Sequence, residues 1–124
     1  MISNKKIGSY FEQEFCEFLS KQGFWAHFIN PNRNGSQPFD VIAVKDGIAY
    51  AFDCKTCVRE TFSISRVEEN QALAMKKWAR CGNKNAYFAV LHNEEIYLVK
   101  YKELVNSGSV KLDENHLFQQ VICL

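Results

Sequence analysis

Apolar residues along the chain switch between two spacings. From residue 5 to 22, Ile7, Tyr10, Phe11, Phe15, Phe18 and Leu19 recur three or four positions apart, which predicts an amphipathic helix ending at Gly23. Phe24 to Ile29 is dense in aromatic and branched residues and predicts a strand. Asn30 to Pro38 is rich in turn formers and reads as a loop. Phe39 to Val44 and Ile48 to Lys55 read as two strands joined at Asp46-Gly47, a two-residue hairpin signal. Helical spacing returns after Ser65. Ser65-Arg66-Val67-Glu68 fits a capping box, so the helix is expected from Ser65 to about Arg80, closed by Gly82. Ala86 to Leu91 and Ile96 to Tyr101 predict a second hairpin turning at Asn93-Glu94. The last 20 or so residues have no clear period, although Val121 to Leu124 suits a short strand. The expected order is therefore helix, three strands, helix, two strands: an α/β fold with a mixed central sheet flanked by helices.

Composition narrows the class. The 124 residues suit a single domain over 1–124, and 47% apolar content is enough for a packed core. No apolar run reaches the roughly 20 residues of a membrane span, and no signal-peptide core follows the N-terminus, so a soluble cytoplasmic protein is expected. Five scattered cysteines do not form a disulfide framework. Cys54 and Cys57 make a lone CxxC without a second paired motif, so a zinc site is not expected. Formal net charge is +1, but residues 59–84 carry six basic side chains against three acidic ones. A local basic face of that kind is sufficient to hold a phosphate backbone. The aromatic residues, Trp25 and Tyr10 included, are assigned to packing rather than to base stacking.

The chemistry concentrates on the strand Ile48 to Lys55. Alternation puts Ile48, Tyr50, Phe52 and Cys54 on one face and Ala49, Ala51, Asp53 and Lys55 on the other. A carboxylate and an ammonium thus share one side at the end of a buried strand, above two small alanines. The Asp46-Gly47 turn brings Asp40 towards them. Two neighbouring carboxylates repel unless a proton or a cation intervenes, and magnesium suits an all-oxygen site. On the following helix Gln71 falls within the apolar stripe of Val67, Ala74, Met75 and Trp78, where its amide needs a partner.

Pro38-Phe39-Asp40, a hairpin, then Asp53-Cys54-Lys55 resembles the signature of the PD-(D/E)xK nucleases. Within that superfamily the chain resembles the Holliday junction resolvases of the small archaeal type and of the recombination-protein-U type of Gram-positive bacteria. The shared features also include Gly8 followed by Glu12 on the first helix, Gly35-Ser36 in the loop, and Gln71; together they cover roughly residues 5–101. Asp53 stands where glutamate is commoner, and the loop before Asp40 is too short for the long stalk of the second type. The resemblance selects Glu12 as the helix carboxylate, whereas helix geometry alone favours Glu14.

The resemblance implies a restriction-endonuclease-like core in which Glu12, Asp40 and Asp53 hold Mg²⁺, with Mn²⁺ as a substitute. Lys55 and Gln71 are the implied catalytic side chains. Lys5, Lys6, Arg33, Ser36 and Arg66 are the candidates for contacts to the DNA backbone. The expected activity is hydrolysis of DNA phosphodiester bonds, most specifically in four-way junctions, by a homodimer with an apolar patch on the dimer face. A restriction- or repair-type endonuclease on duplex DNA and an inactive nuclease-like binding domain are the competing readings.

Overall fold

The computed structural model describes residues 4–30 and 37–122, with side chains from Tyr10 onward. Lys5, Lys6, Arg33 and Ser36 therefore lie outside the described side chains. Helix α1 is Asn4–Lys21 and strand β1 is Trp25–Phe28. The hairpin β2 (Val41–Lys45) and β3 (Ile48–Thr56) follows, then β4 (Thr61–Ser63). Helix α2 is Glu69–Arg80; β5 (Ala86–His92) and β6 (Glu95–Val99) form the second hairpin. The chain continues through α3 (Tyr101–Ser107), β7 (Ser109–Lys111) and α4 (Phe118–Val121).

Five strands form one mixed sheet in the order β1-β2-β3-β5-β6. All pairs are antiparallel except β3 with β5, which run parallel with Lys55 opposite Val90. A parallel pair needs a long crossover, and α2 supplies it. The two hairpins turn where the sequence expects: Asp46 and Gly47 have φ of 52° and 77°, and Asn93 and Glu94 have φ of 48° and 63°. Two consecutive positive φ values define the turn whose twist matches paired strands. An added Cβ on Gly47 would meet nothing within 4 Å, so only the backbone resists it. Gly47→Ala is expected to lower stability by about 1 kcal/mol, read as a reduced urea midpoint at unchanged slope.

Each face of the sheet has its own core. Phe11, Phe15 and Leu19 of α1 pack on Tyr50, Phe52, Tyr87 and Leu98. Ala74 and Met75 of α2 pack with Ala51, Phe88, Val90 and Val99 on the other face. The alternation read along β3 is thus real: Tyr50 and Phe52 enter the first core and Ala51 the second.

Three expectations are corrected. The helix does not start at Ser65. A 3-10 turn at Ile64–Arg66 comes first, because the Ser63 hydroxyl accepts the Ser65 amide, and Val67 is then extended. Glu68 becomes the N-cap of α2, with Gln71 reaching back to its amide at 2.9 Å. The expected capping box is therefore displaced by three residues. Of the expected strand at Val121 to Leu124, Val121 is instead the last residue of α4 and Ile122 its C-cap, and Phe118 and Ile122, four apart, both enter the first core; residues 123–124 lie outside the described residues. Lastly, β4 pairs with β7 in a small second sheet, and α3 begins at Tyr101, where a strand was expected to end.

Candidate active site

The carboxyl end of β3 lies beside the start of α2 and the strand entry of β2. Asp53 is almost fully buried there, at 3% exposure, and Asp40 is 7% exposed. Asp40 sits just before β2, its backbone already in the ladder: its amide donates to Phe52 O at 2.9 Å, and its carbonyl accepts from Ile29 N at 2.8 Å. Its Oδ2 accepts the Cys54 amide at 2.7 Å, a short bond to a charged acceptor that fixes the carboxylate against β3. Asp40 and Asp53 stand close enough for the charge of one to bear on the other.

Lys55 and Gln71 complete the inner ring. Lys55 Nζ stands 4.0 Å from Asp53 Oδ1 and donates to Gln71 Oε1 at 3.0 Å. Gln71 Nε2 donates to Asp53 Oδ1 at 3.4 Å. The Gln71 amide is thus fully used: it caps α2, holds the lysine and touches the carboxyl. Gln71→Ala is expected to lower stability by about 1 kcal/mol through the lost cap. Measured by urea denaturation and single-turnover cleavage, it is also expected to slow any reaction needing Lys55 by about ten-fold or more, because the ammonium loses its orienting partner.

Glu12 and Glu14 separate clearly. Glu14 is exposed, whereas Glu12 is half-buried and feels the charges of Asp40 and Lys55. The expectation from helix geometry alone, that Glu14 lies deeper, is corrected: the apolar face is centred on Phe11, Phe15 and Leu19, one residue away from Glu12. Arg66 stays at the rim, its Nη2 donating to Thr56 O at 2.9 Å beside the end of β3.

Electrostatics mark the cluster. Burial first, then the Asp40 charge, pushes the Asp53 carboxyl up to about 8, against the pull of Lys55. Burial and Asp40 likewise raise Glu12 to about 7. Two carboxyls that hold protons near neutrality, around a third carboxylate and an ammonium, are groups waiting for a cation. Among the described residues, no three His, Cys, Asp or Glu side chains close up tightly enough to enclose an ion unaided. The CxxC cysteines do not join the cluster: Cys54 packs with the α1 core and Cys57 with the α2 core.

One neighbour escaped the sequence reading. Gln37 Nε2 donates to Asp40 Oδ1 at 3.4 Å, while its Oε1 is buried with no partner among the described residues. Its position three residues before an aspartate is the only signal, and turn-forming neighbours hide it. Trp25 and Tyr10, assigned to packing, are 63% and 60% exposed.

The sheet order and the crossover at α2 bring Asp40, Asp53 and Lys55 together in the arrangement that the PD-(D/E)xK resemblance implies. A sequence model of the archaeal Holliday junction resolvases (Hjc) matches residues 3–121; the chain belongs to that family, and it is a nuclease of DNA junctions. No curated protein matches the sequence. Among 24 matching chains of solved structures is Hjc of Archaeoglobus fulgidus, a Holliday junction resolvase from an archaeal hyperthermophile. It superposes with a TM-score of 0.63 at 20% identity, covering 87% of this chain and 88% of that one, and supports the fold. Among the described residues no helix is long and apolar enough to cross a membrane.

Proposed function

We propose that this chain is a magnesium-dependent resolvase of four-way DNA junctions, with Asp40, Asp53 and Glu12 as the metal-holding carboxylates. The observation that carries the reading is the convergence of α1, β2 and β3 on one acidic cluster whose members resist ionising together. A bound Mg²⁺, or Mn²⁺ in its place, would polarise the scissile phosphate and acidify a water. Lys55, steered by Gln71, orients the attacking water and offsets the charge that builds on the phosphate. Asp40 is held by the Cys54 amide and so keeps its position when its neighbours move. Arg66, with Lys5, Lys6, Arg33 and Ser36, contacts the backbone without reading sequence. Paired cuts across a junction need two sites, so a homodimer of single-domain subunits is part of the reading.

The test is nicking of a labelled four-way junction and a matched linear duplex, with and without Mg²⁺. Junction cleavage at least 100-fold faster than duplex cleavage, dependent on the metal, is the expected result. Equal rates would sink the junction selectivity, and metal-independent nicking would sink the role of the carboxylates. Sedimentation at micromolar concentration checks the dimer.

A further inference from the structure

The chain has two tryptophans in opposite settings. Trp78 packs edge-on against Phe39, with ring centroids 5.5 Å apart. Trp25 is 63% exposed, although it lies on a strand of the main sheet. Its ring is parallel to that of His27, with centroids 5.9 Å apart and an interplanar angle of 7°. His27 is exposed too, and β1 is an edge strand.

Register shows where this pair points. Trp25 is opposite Val44, which is opposite Ala49; His27 is opposite Ile42, which is opposite Ala51. Directly paired residues share a face, and Ala49 and Ala51 share theirs with Asp53. Trp25 and His27 therefore rise from the face that carries the carboxylates. Ile29 continues their row and donates its amide to Asp40. With about 3.3 Å per residue and about 4.8 Å between strands, the His27 backbone is about 8 Å from that of Asp40, and Trp25 about 14 Å. Half-exposed Val44 extends the apolar floor next to Trp25.

We propose that the Trp25–His27 pair is a stacking platform for an unpaired base at the branch point of a junction held at the acidic cluster. This rests on the junction-resolvase reading and deepens it. Every base offers a π-face, so such a platform binds without sequence preference. In intact duplex both faces of each base are covered by its neighbours. Only a base freed at a branch can lie on the tryptophan, and so the platform separates junction from duplex. The ring pair is stacked before any ligand arrives, so little ordering remains to be done on binding.

The test uses the full chain with Asp53→Asn to stop cleavage. In that background, Trp25→Ala is expected to weaken junction binding about ten- to thirty-fold, to leave duplex binding within about two-fold, and to leave the melting temperature unchanged. Trp25→Phe should recover most of the affinity. With Trp78→Phe added, Trp25 emission should be quenched by the junction and not by an equal concentration of duplex. Unchanged junction binding in Trp25→Ala, or an equal loss on junction and duplex, overturns the platform. So does dissociation of a dimer on Trp25→Ala, which would make this face a contact between copies. A wild type that cuts junctions while Trp25→Ala binds normally overturns the platform alone. A wild type that neither binds nor cuts them overturns both readings.

Discussion

Asp53→Asn is expected to slow cleavage of a four-way junction by about a thousand-fold or more, while junction binding stays the same or tightens. A thousand-fold corresponds to about 4 kcal/mol of transition-state stabilisation, the scale typical of removing a preorganised charge from a closed site. The reason lies in the burial of Asp53. Its carboxyl accepts from Gln71 and stands against Lys55, so the lost charge is one the surrounding groups are arranged around. The amide is nearly isosteric and can still accept from Gln71, so the fold survives. Without metal Asp53 keeps its proton up to about pH 8, so a neutral amide replaces a neutral carboxyl and junction binding is not weakened. Asp40→Asn should behave alike, because an asparagine oxygen can keep the Cys54 amide bond. Lys55→Met should lose a comparable factor on the role proposed for the lysine at the water and the phosphate, and should raise Asp53 and Glu12 further by removing its pull on them. Single-turnover cleavage, with binding measured in the absence of metal, separates these effects. Cleavage by Asp53→Asn within ten-fold of wild type would remove Asp53 from the chemistry.

Much of this site was legible because it is written on one strand and one turn. Alternation along Ile48 to Lys55 and the Asp46-Gly47 turn are local rules, and both hold in the structure. What alternation could not supply is depth. Glu12 and Glu14 differ by two positions on one helix, and the choice between them depends on which side of Phe15 meets the sheet. The start of α2 misled for a similar reason. Ser65 and Glu68 offer a plausible capping box, but Ser63 captures the Ser65 amide first, and Gln71 is in competition for the Glu68 amide. That competition ties the helix start to the active site, because the same Gln71 oxygen holds Lys55.

The missed elements are those without local signals. Strands β4 and β7 have three residues each and find one another across nearly fifty positions of sequence. Helix α4 is a single turn whose meaning comes from Phe118 and Ile122 entering the first core. Trp25 was misread because an aromatic residue in a strand usually packs. The sequence does not reveal that β1 is an edge, nor that the covering helix lies over the central strands.

Raising the pH from about 4 to about 8 in the absence of divalent metal is expected to destabilise the fold by several kcal/mol. Asp53 ordinarily titrates near 3.8 and in the fold near 8. A carboxyl raised in this way keeps its proton in the folded state while the unfolded chain has already released it. The folded state therefore binds more protons across that window, and stability falls as pH rises through it. The difference, 8 − 3.8, is about four units, and at about 1.4 kcal/mol per unit it corresponds to an upper limit of roughly 6 kcal/mol. Glu12, raised to about 7, acts in the same direction. His116 does too. Burial opposes its charge, but hydrogen bonds to Glu103 and Asp113 outweigh that and hold it above its ordinary value, so its contribution is present below about 6.5 and lost as pH rises. Asp53→Asn isolates the active-site share: without metal at pH 8 it should be more stable than wild type, with a flatter profile above pH 5. Mg²⁺ should stabilise wild type at pH 8 and do little for the variant, because binding to the folded state alone adds RT ln(1 + [L]/Kd). Urea denaturation across pH, with chelator or with Mg²⁺, measures all four curves. A metal-free wild type whose stability is level or rising between pH 5 and 8 would show that the two aspartates do not oppose each other as the geometry requires. The same repulsion that weakens the empty fold is what a cation, once bound, turns into affinity.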